Sequence, residues 1–542
     1  MQTTEQLDLF GMQQVNDSLT LTAFSNPKNQ QKNTNCVTVE SPVPSSETIS
    51  IDKSPICTPS FQKQKSSKTS DLDSISSEKD CNPYWNDLCA AISSRLLLPV
   101  ATGSADLDLS CLSTWSSSTV EKSWFSITLF TAPRQNYTAI FSLSSMSSLA
   151  ECTDLGSTVK RSRKIRIYLN PNQRAILKSW FGVSRYVYNQ TIAYLKQPNT
   201  KANWKAIKGK ILGALPEFCK SVPYQIKSIA IKDACKAVSN AKKKYKDSGG
   251  ISKMRFRSRK NPIQSCYIPK SAVSNKGIYH TILGELSFKE SLPENFGDCR
   301  LVFAYGDYYL TVPENTPRSY ADNQALASLP GGYLRAATAA SRVVALDPGV
   351  RTFQTFFSEN SFGWIGEQAN IKIQKLCFKL DALISNLSKA KCKQKRRMKF
   401  ALVRLRGKIK NLVDELHKKT ARFLVDNFDV ILLPTFETSQ MSLKAKRRIR
   451  AKSVRQMLTL SHYKFKQFLK HKAFENSKVV LDVNEAYTSK TVSWTGEIVA
   501  KLGGATVIKS KLTGQSMNRD LNGARGILLR AVVDTPLKEC IC

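Results

Sequence analysis

This chain of 542 residues has few histidines, and its cysteines show no paired spacing. The four histidines are His280, His417, His462 and His471, and none of the fourteen cysteines forms a C-x-x-C pair. Zinc fingers need thiolates and imidazoles at short, fixed spacings, so this class of protein is excluded. Scattered cysteines with no secretory signal before them indicate a reducing, intracellular compartment.

A long hydrophobic run is also missing. A membrane-spanning helix needs roughly 20 consecutive apolar residues. The best candidate, Trp124–Leu143, is interrupted by Pro133, Arg134, Gln135 and Asn136. We therefore predict a soluble protein without a membrane partner.

Acidic residues become scarce after about residue 158. The whole chain has 81 Lys and Arg and 42 Asp and Glu, of which residues 1–158 hold 10 and 16. Residues 159–542 therefore hold 71 basic and 26 acidic residues. A body with that net charge of +45 repels itself unless a polyanion neutralises it. RNA or DNA is the expected polyanion, because each neutralised phosphate releases a counterion. A membrane surface or an acidic protein is the alternative partner.

The change of charge also divides the chain. Residues 1–158 are rich in Ser and Thr and are predicted to be largely disordered, with short apolar docking segments such as Phe125–Phe130. The basic cluster Lys160–Lys164 is either a nuclear-import signal or the first phosphate-contacting part of the fold. The long Ser-rich extension favours a eukaryotic host and hence the nucleus. Residues 534–542 are a tail.

Residues 159–340 combine strand and helix patterns. Ile165–Leu169 alternates like a strand, and Asn170-Pro171 then opens a helix, because Asn caps helices and Pro suits their first turn. A second helix is predicted after Gly182, and the helical pattern, about residues 170–250, ends at Gly249-Gly250. Further predicted strands are Met254–Arg257, Cys266–Ile268, Ile278–Leu283, Leu301–Ala304 and Tyr308–Val312, the last two joined by a turn at Gly306-Asp307. This order predicts a small β-barrel with an inserted helical lobe.

From residue 341 to residue 533 the pattern becomes α/β. Apolar runs predict strands at Val343–Leu346, Thr352–Ser358, Asp429–Leu433 and Val479–Val483. Apolar residues with 3-4 spacing flank the basic run Lys389–Lys399, which predicts an antiparallel helical hairpin with a positive tip. A basic helix is predicted over Leu443–Phe474 and a final helix over Asn522–Val532.

Four carboxylates lie where a predicted strand ends or the last helix begins: Asp347, Glu437, Glu485 and Asp520. Each has an ordinary alternative as a turn residue, a helix cap or a solvated charge. Hydrolysis of a phosphodiester near neutral pH needs metal to activate water and to stabilise the leaving oxygen. Mg²⁺ prefers carboxylate oxygens, and the ends of strands in an α/β sheet are where such ligands converge.

Several segments, in fixed order, resemble the TnpB/Fanzor superfamily, the transposon-encoded relatives of type V CRISPR effectors. Val343–Arg351 resembles the first RuvC motif of that family, and Asn518–Arg525 resembles the third. Trp180–Asn189, Arg255–Lys260 and Tyr487–Thr491 are similar to its helical segment, its basic strand and the segment before its zinc ribbon. The resemblance implies a multi-domain α+β protein, in which the β-barrel with its helical insert precedes a RuvC-like ribonuclease H fold with a helical hairpin.

The second RuvC motif departs from the family pattern. A glutamate usually follows its apolar strand, but here Pro434 follows. In Fanzor-type members a glutamate just before the Tyr-Thr-Ser-Lys segment replaces it, and Glu485 has that place. The resemblance therefore assigns Asp347, Glu485 and Asp520 as catalytic residues that hold two Mg²⁺ ions, with Glu437 as the alternative to Glu485.

The ribbon, about residues 486–516, departs as well. Val492 and Thr495 stand where the first cysteine pair would be, and Lys511–Gly514 lacks the second pair. No zinc is expected, because the thiolates are absent. We predict a metal-free remnant packed around three apolar side chains, Trp494, Ile498 and Leu502.

The resemblance also implies partners, namely a transposon-derived guide RNA and a double-stranded DNA target with a short flanking motif. The predicted nucleic-acid contacts are basic: Arg185, Arg255, Arg257, Arg259, Lys260, Lys395, Arg396, Arg397, Arg447 and Arg448. A solvated helix face is the alternative for each. The aromatic residues Trp180, Tyr186 and Tyr188 either stack on bases or belong to the core.

Two other functions stay open at this point. The proline at position 434 and the lost cysteines favour a nucleic-acid-binding regulator that does not cut, whereas the retention of Asp347, Glu485 and Asp520 together opposes it. A DDE-type transposase is a third reading, which the glycine after Asp347-Pro348 disfavours.

Overall fold

A computed structural model of the protein describes residues 101–102, 116–120, 124–131, 150–151, 158–252, 254–317, 342–435, 442, 450–499 and 502–533. All of these residues belong to one compact unit, Glu78–Cys542. Among the described helices, none is both long enough and apolar enough to cross a membrane.

Strands and helices are numbered here in chain order. The strands are β1 Ala101–Thr102, β2 Ser116–Val120, β3 Ile127–Thr131, β4 Ala150–Glu151, β5 Thr158–Tyr168, β6 Ile263–Ile268, β7 Val273–Ser274, β8 Gly277–Ile278, β9 Ser287–Phe288, β10 Cys299–Ala304, β11 Asp307–Pro317, β12 Val343–Pro348, β13 Gln354–Ser358, β14 Ser361–Ile365, β15 Val430–Pro434, β16 Val479–Val483, β17 Val507–Lys509 and β18 Gln515–Asn518. The helices are α1 Pro171–Leu195, α2 Trp204–Gly213, α3 Tyr224–Ser248, α4 His280–Leu283, α5 Glu367–Lys389, α6 Cys392–Asn427, α7 Ala451–Leu460, α8 His462–Glu475 and α9 Arg519–Val533.

An antiparallel sheet with the order β6-β10-β11-β5-β9 organises the part before residue 318. Its two edge strands, β6 and β9, do not pair with each other in the described part of the chain. These strands therefore form an open sheet in place of the predicted barrel. The helices α1, α2 and α3 are inserted between β5 and β6, where the sequence predicted a helical lobe.

The start of α1 follows the sequence prediction. The Asn170 side chain accepts a hydrogen bond from the Gln173 amide at 2.8 Å, and the Gln173 side chain accepts one from the Asn170 amide at 3.0 Å. This reciprocal pair satisfies donors that have no partner within the helix. The predicted break at Gly182 is wrong, because α1 runs through it. Burial of the flanking Trp180 and Val183 outweighs the roughly 1 kcal/mol that a helical glycine costs.

Two predicted strands after the lobe are also wrong. Residues 254–257 are not a strand, since the Asn189 side chain bonds both the amide and the carbonyl of Arg257, at 2.7 and 3.0 Å. Residues 278–283 divide into the end of β8 and the one-turn helix α4, which begins after Tyr279 at a φ of 44°. The turn between β10 and β11 consists of Tyr305 and Gly306, one residue earlier than predicted, and both have positive φ.

An eight-stranded mixed sheet with the order β2-β3-β14-β13-β12-β15-β16-β4 organises the later part. Strands β12, β15 and β16 are parallel, and the other pairs are antiparallel. The sequence predicted β12, β13, β15 and β16 but missed β14. Strands β2, β3 and β4 come from residues 1–158, so this region, predicted to be largely disordered, supplies strands to both edges of the sheet.

The two faces of this sheet bury different helices. On β12, Val343 and Ala345 pack on the face that α9 covers, whereas Val344 and Leu346 pack on the face that α5, α6 and α8 cover. Alternate residues of a strand point to opposite faces, which accounts for this division. The helices α5 and α6 form the predicted hairpin, with the exposed residues 393–397 in the first turns of α6. The predicted single helix over Leu443–Phe474 is interrupted at Ser461, where φ is 53°.

Strand β3 docks on β14 through aromatic rings and a close backbone approach. Phe130 stacks on Phe362 with ring centroids 5.1 Å apart and meets the edge of Trp364 at 5.9 Å. Gly363 lies opposite β3, and a Cβ at this position would collide with the Thr128 carbonyl oxygen. Only glycine fits there, so the edge of the sheet is shaped to receive β3.

We expect Gly363→Ala to lower the free energy of unfolding by about 2–3 kcal/mol, because the added methyl group forces β3 away from β14. Gly209→Ala, on the exposed side of α2 with no atom within 4 Å of the new Cβ, is the matched control and should be neutral or stabilising. Denaturant unfolding of both full-length variants measures the difference. Equal stability of the two variants would mean that β3 does not dock on β14.

Candidate functional site

The three acids predicted to be catalytic lie at one end of the mixed sheet. Asp347 is the penultimate residue of β12 and continues the face of Val343 and Ala345, toward α9. Asp520 is in the first turn of α9, where the Asn518 side chain accepts hydrogen bonds from the amides of residues 520 and 521, at 3.0 and 3.2 Å. Glu485 follows β16 by two residues. All three side chains are partly buried.

A glycine brings α9 close to Asp347. A Cβ at Gly523 would lie 2.7 Å from the Asp347 Oδ2 atom. A larger residue would displace either the Asp347 carboxylate or the helix, so Gly523 allows the carboxylate to lie directly against α9. One turn later, a Cβ at Gly526 would lie 3.1 Å from the carbonyl oxygen of Thr488, which is in the turn after Glu485. One face of α9 therefore contacts both the Asp347 strand and the Glu485 turn.

The acids interact electrostatically. Burial raises the pKa of Asp347 to about 7, with further contributions from the negative charges of Asp520 and Glu485, while Arg519 opposes the shift. Burial also raises the pKa of Asp520, against the influence of Arg351 and Arg519. Asp347 is therefore only partly ionised near neutral pH when no cation is bound. Repulsion among acids is the condition that a bound cation relieves.

The strand register explains why the third acid comes from β16. Ala345 of β12 pairs with Leu432 of β15, and Pro434, the last residue of β15, pairs with Val483 of β16. Pro434 carries no carboxylate. Glu485 lies one strand further along the sheet, on the face of Leu481 and Val483 that α9 covers.

The donor set fits a hard divalent cation, because it consists of carboxylate oxygens with an excess of negative charge. The three side chains are not closed into a ready-made cage. In the described ranges, no group of three or more His, Cys, Asp or Glu side chains is assembled as a metal site. Glu437, the alternative ligand, lies outside the described residues.

A hydrogen-bond network holds the ribbon remnant where cysteines would hold zinc in the family. The Glu497 carboxylate accepts hydrogen bonds from the Thr495 hydroxyl at 2.8 Å, from the Lys511 amide at 3.0 Å and from the Ser510 hydroxyl. Residues 495 and 511 are two positions at which the family has cysteines, so one carboxylate connects both turns. Sequence reasoning missed Glu497, because a single Glu has no motif.

The remnant is packed mostly as predicted. Trp494 is buried in the core beneath α9, and Leu502 packs against that core. Ile498 is 38% exposed, so its predicted packing role is wrong. Val492 is fully buried instead. A β-branched residue thus fills the space of a lost cysteine.

Two buried polar residues of α9 fasten this helix to the remnant. Asn522 accepts a hydrogen bond from the Ser493 amide at 2.9 Å and donates one to the Thr491 carbonyl at 2.8 Å. Arg525, fully buried, donates to the Ser493 carbonyl. Asn522 and Arg525 belong to the third RuvC-like motif, and the structure gives them a positioning role for the helix that carries Asp520.

Two histidines belong to the core rather than to the site. His417 and His462 both stack on Phe353, at 5.4 and 5.2 Å between ring centroids. Burial lowers the pKa of His417 to about 4 and that of His462 to about 3. Both rings are therefore neutral at physiological pH and support the segment after Asp347.

The predicted nucleic-acid contacts fall into two groups. Arg185 and Arg257 are partly buried and engaged, Arg185 with Gln264 at 3.0 Å and Arg257 over the Tyr188 ring at 3.7 Å. The exposed members are Arg255, Arg259, Lys260, Lys395, Arg396 and Arg397. Arg447 and Arg448 lie outside the described residues.

The aromatic residues and the basic cluster for which the sequence left two interpretations have the following contacts. Trp180 and Tyr188 belong to the core. Tyr186 is partly buried and packs edge-on against Phe218. The cluster Lys160–Lys164 lies in β5, where Arg161 forms ion pairs with Glu314 and Glu475.

Comparison with known proteins gives matches to two family models and to several relatives. Residues 462–527 match the family described as Cas12f1-like, TNB domain, and residues 157–198 match a helix-turn-helix domain, HTH_OrfB_IS605. The chain is 25% identical over 406 residues to TnpB-like protein L79 of Acanthamoeba polyphaga mimivirus, covering 68% of this chain and 72% of that protein. These matches support a TnpB/Fanzor-type family. Putative transposase A625R of Paramecium bursaria Chlorella virus 1 is 26% identical to this TnpB-like chain over 404 residues, covering 69% and 88% of the two chains.

Solved structures show a looser likeness. The structure titled Cas12f1-sgRNA-target DNA complex aligns with 70% of this TnpB-like chain and 99% of that chain, at 11% identity and a TM-score of 0.38. The mini-RNA-guided endonuclease CRISPR-Cas_phi3 aligns with 71% and 94%, at 9% identity and a TM-score of 0.34.

Without divalent cations, we expect Asp347→Asn to stabilise the protein by about 1–3 kcal/mol at pH 8. The folded-state pKa of Asp347 lies above the unfolded value of about 3.9, so ionisation destabilises the fold progressively as pH rises from about 4 to about 7. Asn does not ionise, and the advantage of the variant should vanish below pH 4. Chemical unfolding at pH 8 and at the lowest tolerated pH measures it. A destabilised variant at pH 8 would contradict the repulsion.

We expect Glu497→Ala to lower the free energy of unfolding by about 1–3 kcal/mol, because it leaves the buried Ser510 hydroxyl and the partly buried Thr495 hydroxyl without this acceptor. Neither zinc nor a chelator should change the stability of the wild type or of the variant. Glu217→Ala, which removes only an exposed ion pair, is the control and should change stability by less than about 0.5 kcal/mol. Stabilisation of the wild type by zinc would contradict the replacement of metal by Glu497.

Proposed function

We propose that this protein is an RNA-guided DNA endonuclease of the Fanzor type, in which Asp347, Glu485 and Asp520 hold two Mg²⁺ ions. The supporting observation is that the three acids share one end of the sheet, where burial and then the charges of Asp520 and Glu485 raise the pKa of Asp347. Acids that only stabilise a fold are paired with basic side chains, as Asp429 is with Arg342 and Lys478. Titratable groups that are perturbed by one another are typical of catalytic sites.

The order and direction of the strands also support the proposal. Strands β14, β13 and β12 form an antiparallel meander, and β15 and β16 continue the sheet parallel to β12. This arrangement agrees with the RuvC-like ribonuclease H fold that the sequence motifs imply. The acids follow the carboxyl ends of β12 and β16, where α/β sheets bind their ligands.

Each residue of the site would have a separate role in hydrolysis. When bound, the metal ions supply an activated water and a charge that stabilises the leaving oxygen. Asp347 is held in place by the buried strand β12, and Asp520 is oriented by the Asn518 cap. Arg351 and Arg519 oppose the burial that raises the pKa of Asp520, and they would attract the phosphate of the strand to be cut.

The exposed basic residues would bind the nucleic-acid partners. The exposed residues Arg255, Arg259 and Lys260 and the α6 segment 393–397 would neutralise the backbones of a guide RNA and of its DNA target. A flanking motif in the DNA would be read by the first sheet and the helical lobe. The nucleus is the compartment that we propose, as the place where such a chain meets double-stranded DNA.

A second candidate is an RNA-guided binding protein without cleavage. Pro434, at the end of the strand next to β12, and the lack of a closed metal cage among the described side chains favour it. The same experiment separates the two functions.

The purified ribonucleoprotein should cut matched DNA when Mg²⁺ is present, and Asp347→Asn, Glu485→Gln and Asp520→Asn should each reduce the rate at least about 100-fold while guide RNA stays bound. Gel analysis of end-labelled DNA measures the cut. Asp482→Asn, whose acid lies on the opposite face of β16 in ion pairs with Lys466 and Lys470, is the control.

The variant Glu437→Gln decides between the two glutamates. A large loss in Glu437→Gln with none in Glu485→Gln would transfer the third ligand to position 437. Matched DNA that is bound but stays intact with Mg²⁺ would favour the non-cleaving regulator.

A further inference from the structure

The turn directly after Glu485 displays one aromatic side chain to solvent. Tyr487 is 68% exposed and has a φ of 65°, in the left-handed region that residues with a Cβ rarely adopt. A large exposed ring gains nothing from burial here, and its backbone conformation is strained. Strain of this kind persists where surrounding contacts impose it, and it is concentrated at functional sites.

The surrounding contacts do impose this conformation. The Tyr487 carbonyl accepts hydrogen bonds from the amides of Lys490 and Thr491, at 2.9 and 3.0 Å, and from the Thr491 hydroxyl at 3.0 Å. Just before it, the Glu485 carbonyl accepts a hydrogen bond from the Thr488 hydroxyl at 2.9 Å. Thr488 is buried under α9 beside Gly526. Hydrogen bonds thus hold the turn at its base, and the Tyr487 ring projects from it.

The position of this ring relative to the acids follows from α9. Gly526 contacts the Tyr487 turn, and Gly523, one helical turn away on the same face, contacts Asp347. Tyr487 therefore lies two residues after Glu485, in a turn packed against the helix that also contacts Asp347. Lys490, exposed in the same turn, adds a positive charge beside it.

We propose that Tyr487 is a base-stacking platform that positions the single DNA strand for cleavage, with Lys490 contacting the adjacent phosphate. This inference rests on the proposed nuclease function. An exposed ring offers a stacking surface to any base, and an ammonium group nearby attracts the backbone, which are the two features of sequence-independent binding to single strands. The strained turn fixes the ring, so little conformational freedom is lost when a base stacks on it.

Substitutions at position 487 separate the ring from the backbone strain. In the full-length ribonucleoprotein with matched DNA, Tyr487→Phe should keep the cleavage rate within about 2-fold, because the ring is retained. Tyr487→Ala and Tyr487→Gly should both lower the rate by about 5- to 100-fold at limiting DNA. Tyr487→Gly also relieves the left-handed strain and should unfold at the same or a higher denaturant concentration than the wild type. Tyr463→Ala, which removes another exposed tyrosine, on α8, should leave the rate unchanged.

Photo-crosslinking tests the stacking without requiring cleavage. Matched DNA that carries 5-iodouracil in place of thymine should crosslink to the peptide containing Tyr487 and not to that containing Tyr463. If the wild type does not cut but this crosslink forms, the nuclease proposal fails and the stacking platform stands. Absence of the Tyr487 crosslink, a wild-type rate in Tyr487→Gly, or a loss in Tyr487→Phe as large as in Tyr487→Ala would each overturn the platform.

Discussion

The distance between α9 and β12 is the constraint on which the candidate site depends. Gly523 permits a short distance, because its missing side chain leaves room for the Asp347 carboxylate against the helix. The same helix carries Asp520 and, through Asn522 and Arg525, holds the ribbon remnant in place. The fold thus forces like charges together, and the free energy needed to do so comes from the apolar core that surrounds them.

Within that constraint, the sequence departs from the family pattern at two places. Pro434 ends β15, the strand next to β12, and Glu485 follows β16, one strand further along the sheet. In the ribbon remnant, the Glu497 carboxylate connects two turns through hydroxyl and amide donors. A carboxylate network is less rigid than metal–thiolate bonds, and the buried Asn522 and Arg525 compensate by fixing the remnant to α9.

Much of the local structure was predictable from the sequence. Asn170-Pro171 began a helix and Gly249 ended one, since capping depends on neighbouring residues alone. The break expected at Gly182 did not occur, because tertiary burial overrode a local preference. Strand β14 was missed, as its short, glycine-containing run has little strand character by itself. The meeting of Asp347, Glu485 and Asp520 was expected from motif order, whereas Glu497 and Tyr487 depend on contacts and a backbone angle that no spacing reveals.

The docking of β3 on β14 has a consequence for how the molecule is made. Thr128 on β3 and Glu367, just after β14, are 239 residues apart in sequence but form a hydrogen bond. During synthesis, the aromatic segment around Phe130 leaves the ribosome long before its partner strand exists. Contacts this distant are slow to form, because a long loop must close before they are made. In the interval, the segment presents uncovered rings and an unpaired strand edge, which are the features that chaperones bind.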